Sequence, residues 1–73
     1  MTHCVKIPLT GTSDLFVYGA DGESITYEVR DHDGNKLEPR TTSKLTFDGQ
    51  KAHFDKRFIS LDLLRYCRQV TNS

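Results

Sequence analysis

The stretch SITYEVRDHDGNKL, residues 24–37, decides the fold class. Ile25, Tyr27 and Val29 alternate with Ser24, Thr26, Glu28 and Arg30, the period of a strand with one apolar and one wet face. Asp33-Gly34 follows. A two-residue loop there would set Leu37 opposite Arg30, on the wet face. A three-residue loop, His32-Asp33-Gly34, sets Leu37 opposite Val29 instead. A slip of one residue inverts the faces, so the three-residue loop is expected. Gly34 then takes the left-handed conformation that glycine adopts without steric cost. Pro39 is expected to end the returning strand.

Working outward, Asp21-Gly22 favours a two-residue hairpin turn upstream, pairing Tyr18 with Ile25 and Phe16 with Tyr27. Residues 15–18 are apolar throughout, which suits a strand covered on both faces. Val5, Ile7 and Leu9 alternate with Cys4, Lys6 and Pro8, and Pro8 places this strand at an edge. Downstream, Asp48-Gly49 joins two more strands and aligns Leu45 and Phe47 with Ala52 and Phe54 on one face. From Ser60 the period changes from 2 to 3.6. Ser60 is the expected N-cap, Asp62 complements the helix dipole, and Ile59 can staple onto Leu64. Tyr66, Val70, Leu63, Cys67 and Leu64 form the apolar face of the helix, against Asp62, Arg65, Arg68 and Gln69.

The expected fold is therefore α+β. It is an antiparallel meander of five or six short strands, as a small sheet or a partly open SH3-like barrel, with one C-terminal amphipathic helix. Residues 1–73 form one small domain, and residues 71–73 a frayed tail.

A chain of 73 residues has a thin core and little room for a deep two-substrate site. Leu, Ile, Val and Phe total 18 residues, enough for a folded domain. The longest run of Leu, Val, Phe and Tyr, Leu15 to Tyr18, is too short for a membrane helix. Residues 1–15 lack the basic start and apolar stretch of a signal peptide, so a cytoplasmic location is expected. Ten basic residues cancel ten acidic ones, which excludes a uniformly basic nucleic-acid wrapper. The cancellation hides a split. Residues 1–38 hold three basic and seven acidic residues, and residues 39–73 hold seven and three. Either the protein is dipolar, or the halves fold against each other and their charges interleave.

Chemistry-bearing patterns are sparse. Cys4 and Cys67 are expected as reduced, buried thiols. His3, Cys4, His32, His53 and Cys67 lack the spacing of a structural zinc site. The acid-rich segment 31–35 lacks the first carboxylate and the distal Glu of a calcium loop, and reads as a hairpin turn. No nucleophile elbow, metalloprotease or phosphate-loop motif is present. Neither an enzyme nor a cofactor or metal is expected.

What remains is a surface. Lys51, His53, Lys56, Arg57, Arg65 and Arg68 fall in the last hairpin and helix, where they can form one basic patch. Phe58 reads as core filler, or, if exposed, as an interface anchor. The expected function is a non-enzymatic binding module, a regulator, adaptor or inhibitor, that docks on a protein with an acidic surface. The alternative is a nucleic-acid-binding small β-barrel using the same residues on phosphates. A homodimer, through an edge strand or by docking of the helix, is a further expectation.

Overall fold

A computed structural model describes residues 3–72. Seven strands precede one helix: β1 Val5–Pro8, β2 Ser13–Ala20, β3 Ser24–Asp31, β4 Lys36–Lys44, β5 Thr46–Asp48, β6 Lys51–Phe54, β7 Arg57–Ser60 and α1 Leu61–Thr71. They form two antiparallel meanders, β1-β2-β3-β4 and β5-β6-β7. The fold is thus α+β, with more strands than the turn signals suggested. The extra strand comes from the β6–β7 turn at Asp55-Lys56, which contains no glycine.

The alternation of β3 holds. Ile25, Tyr27 and Val29 face the core, where they meet Leu15 and Val17 of β2, Ala52 and Phe54 of β6, Ile59 of β7, and Leu64 and Cys67 of α1. Both sheets and the helix therefore share one core. Tyr27 packs edge-on against Phe54, with ring centroids 5.1 Å apart.

The registers depart from the turn arithmetic at three bulges. The first hairpin closes on Ala20 and Ile25 rather than around Asp21-Gly22 alone. Asp21 Oδ1 accepts from the amides of Glu23 and Ser24, which makes a wider turn. Tyr18 is then the extra residue of a bulge, so Val17, not Phe16, lies opposite Tyr27. Phe16 falls opposite Glu28 on the other face. The three-residue loop at 32–34 forms as expected, closed by Asp31 and Asn35, with Gly34 at φ +88°. A bulge at Leu37 sets Glu38, not Leu37, opposite Val29, and leaves Leu37 exposed. Pro39 does not end the strand: it lies within β4, at another irregularity, where an edge strand needs no amide from it.

The third hairpin turns on Gly49-Gln50, one residue later than expected, pairing Phe47 with Ala52. This shift moves the register by two and so preserves the faces. Leu45 is buried as expected, but Phe47, on a short edge strand, is exposed.

The helix begins as predicted, with Ser60 Oγ accepting from the Leu63 amide at 3.1 Å. Tyr66 is a correction, being exposed rather than buried. Thr71 is another: it is helical, and its hydroxyl donates to the Cys67 carbonyl. Ser73 of the expected tail lies outside the described residues. Among the described residues no helix is long and apolar enough to cross a membrane.

Candidate functional site

The expected basic patch divides. Lys51, His53 and Phe58 do come together on the outward face of β5-β6-β7. His53 and Phe58 are cross-strand partners with ring centroids 5.6 Å apart, and the Lys51 ammonium lies 4.5 Å from the Phe58 centroid. Phe58 is 56% exposed, so it is not core filler. His53 Nε2 stands 4.0 Å from the Asp48 carboxylate.

The other four residues lie elsewhere. Arg57 pairs with Phe54, shares its inward face, and makes a two-pronged ion pair with Glu38. Lys56 occupies the turn. Arg65 pairs with Asp62 at 3.6 Å along the helix. Arg68 Nε donates to the Asp21 carbonyl at 3.2 Å, which ties the helix to the β2–β3 turn.

Neither cysteine is joined to the other: Cys4 is exposed, contrary to expectation, and Cys67 is buried. Burial pushes the Cys67 thiol up to about 11, so it is no thiolate at neutral pH. The Asp31 carboxylate accepts from the Asn35 side chain and from the Asn35 and Asp33 amides, which spends it on the turn. Among the described residues no group of three His, Cys, Asp or Glu is placed to hold a metal. A depression of about 260 Å³ is lined by Gly19, Ala20, Asp21, Ser24, Thr26 and Asn72. Its one ionisable group, Asp21, is held by the turn it caps.

A stronger concentration of charge lies on the outer face of β1-β2-β3-β4, which sequence reasoning did not single out. Register places Lys6 of β1 beside Phe16, Phe16 beside Glu28, and Arg30 beside Lys36. The bulge in β2 puts Tyr18 on this face too. At its centre Glu28 is 0% exposed. Three cations converge on this one carboxylate: Arg30 Nε at 2.7 Å, Arg40 Nη2 at 3.3 Å and Lys36 Nζ at 3.9 Å. Burial opposes ionisation of Glu28, but hydrogen bonds from Tyr18, Arg30 and Arg40 prevail and hold its pKa below the usual value. A buried carboxylate needs such partners to stay charged.

Arg40 also stacks on Tyr18, its guanidinium carbon 3.6 Å from the ring centroid. Lys44, opposite Ser24, completes the row at the far end of β4. Five basic residues thus share the face with two acids, Asp14 and Glu28, and both acids are buried. The other acids of this sheet lie in turns, or on the opposite side with Arg57, as Glu38 does. The face presents surplus positive charge, two half-buried rings and the paired Thr26 and Thr42 hydroxyls. Such a surface can hold anions; it has no arrangement of nucleophile and base.

Comparison of the chain with models of protein families, with curated proteins and with solved structures finds no match.

Proposed function

We propose that the chain is a non-enzymatic binding module that docks on an anionic macromolecular partner through the outer face of β1-β2-β3-β4. One observation carries this reading: among the described residues, five cations share a face whose two carboxylates are buried. Glu28 gathers Arg30, Lys36 and Arg40 into one spot but neutralises only one of them. Gathering like charges on a sheet costs stability unless something compensates, so a cluster larger than its central acid requires points to use. The outward group Lys51, His53 and Phe58 supplies a weaker second surface, since Asp48 sits beside it.

Retention on immobilised heparin at low salt tests the reading. The wild-type chain is expected to bind and to elute with rising salt. Replacing both Lys6 and Lys44 by Glu is expected to bring elution forward strongly. Neither lysine holds an ion pair among the described residues, so the fold survives the change. Lys51→Glu with Arg65→Glu is the comparison, and a smaller effect is expected. Free passage of the wild-type chain, or a larger effect from the second pair, overturns the assignment.

A further inference from the structure

The chemistry of this face narrows the partner. Acidic protein surfaces, duplexes and single strands all carry negative charge, but they meet an open sheet differently. Four strands spaced about 4.8 Å apart span roughly 14 Å between outer strand axes. That exceeds the major groove, about 12 Å wide, so the sheet laid face-on does not fit into that groove. A carboxylate-rich protein uses the N–H edge of a guanidinium, which Arg30 and Arg40 already give to Glu28, and makes no particular use of its plane. A single strand does, because each unpaired base offers a flat face.

The Tyr18–Arg40 stack is built for such a face. The guanidinium carbon lies over the ring, 3.6 Å from its centroid, and Glu28 accepts from Nε and Nη2. One plane of the guanidinium is covered by Tyr18, while the Arg40 side chain keeps about half of its surface exposed (53%). Phe16 lies one strand position away, between Lys6 and Glu28. Lys6 on β1, Arg30 and Lys36 at one end of β3-β4 and Lys44 at the other surround these planar groups. Cations spread around stacking planes match a chain of phosphates that carries bases between them. Of the acids of the first half, Asp14 and Glu28 are buried, Asp21 and Asp31 accept from backbone amides of their own turns, and Glu38 pairs with Arg57.

We propose that this face binds single-stranded nucleic acid, with a base stacked on the exposed plane of Arg40 and with Lys6, Arg30, Lys36 and Lys44 on phosphates. The proposal rests on the anionic-partner reading above and names its class.

Fluorescence anisotropy with a labelled oligothymidine, a duplex of equal length and a polyglutamate peptide tests it. The single strand is expected to bind tightest. Its log K should fall with log salt at a slope no steeper than about −2.8, the limit for four phosphate contacts on a single strand. Arg40→Lys keeps the charge and the pairing to Glu28 but removes the plane. It is expected to weaken oligothymidine binding at least about fivefold while leaving the salt slope unchanged. Lys44→Gln, on an exposed residue, should instead reduce the slope by about 0.7. An unaltered affinity in Arg40→Lys overturns the stacking assignment. Equal or tighter binding of the duplex or the polyglutamate overturns the single-strand proposal and leaves the anionic partner standing. Failure of all three probes, with no retention on heparin, removes both readings.

Discussion

Lys56 holds a backbone conformation that its side chain resists. The turn between Phe54 and Arg57 has two central residues, Asp55 at φ +48° and Lys56 at φ +66°, as a tight hairpin with the strands' twist demands. Aspartate tolerates this region; lysine does so at a cost of about 1 kcal/mol. Lys56→Gly is therefore expected to stabilise the chain by about 1 kcal/mol, read as a higher urea midpoint at unchanged slope. The opposite change tests Gly34, at φ +88°, where a methyl group would meet no atom within 4 Å. Gly34→Ala is expected to cost about 1 kcal/mol or more from the backbone alone. Gly34 was legible because only one loop length kept the apolar face intact, and that length needed a glycine there. The Asp55-Lys56 turn was not, since FDKR holds one turn-forming residue, Asp55, followed by lysine rather than glycine. What selects it is tertiary: the Asp55 carboxylate accepts from Tyr27 at 2.5 Å and from Ser43, which anchors the turn to β3 and β4.

Among the elements, the helix was the most legible, because its period, cap and first-turn acid agree. An 11-residue helix is marginal on its own, so its cap has measurable weight. Ser60→Ala is expected to cost about 1 kcal/mol, seen by urea unfolding followed through helical circular dichroism. The misplacement of Tyr66 on the apolar face has a geometric cause. Leu64 and Cys67 are the fully buried pair, and at 100° per residue Tyr66 lies about 130° from their midpoint. A face of five residues was wider than the surface the sheets offer. The strands show a different limit. Alternation reports which residues share a face within a strand, and it held in β3. It does not report bulges, and the extra residue at Tyr18 exchanged Phe16 for Val17 at the core. That exchange put the aromatic residue beside Glu28 on the candidate surface. Both edges of the four-stranded sheet, β1 and β4, contain a proline, which removes ladder donors and opposes dimerisation through those edges.

At the scale of the molecule, the division of charge along the chain does not become two poles. Arg57 reaches back to Glu38 and Arg40 to Glu28, so the basic second half is threaded into the acidic first. The candidate surface draws Lys6, Arg30 and Lys36 from the acidic half. Net charge by segment could not reveal it, because Asp14 and Glu28 are buried, Asp21 and Asp31 cap their own turns and Glu38 pairs with Arg57. The same arrangement makes stability sensitive to acid. Glu28, Asp21, Asp31 and Asp55 all have pKa values below their ordinary ones. When the folded chain holds a carboxyl below its unfolded value, the unfolded state takes up the proton first as pH falls. The contribution is therefore complete above about pH 5, begins to fade near the unfolded value of about 4, and is lost once pH passes below the folded value. Urea unfolding is expected to give a flat stability from pH 8 to about 5 and a steep fall beneath about 4. Glu28→Gln separates the central carboxylate from the rest. The three cations left behind are partly exposed, with side-chain exposures of 34, 50 and 53%, and can turn to water, so the loss stays below that of a fully buried pair. The variant is expected to lower the neutral plateau by about 2 kcal/mol and to flatten the acid limb, because one of the carboxyls that drive it is gone. Coincident profiles for the variant and the wild-type chain would show that Glu28 does not hold this face together.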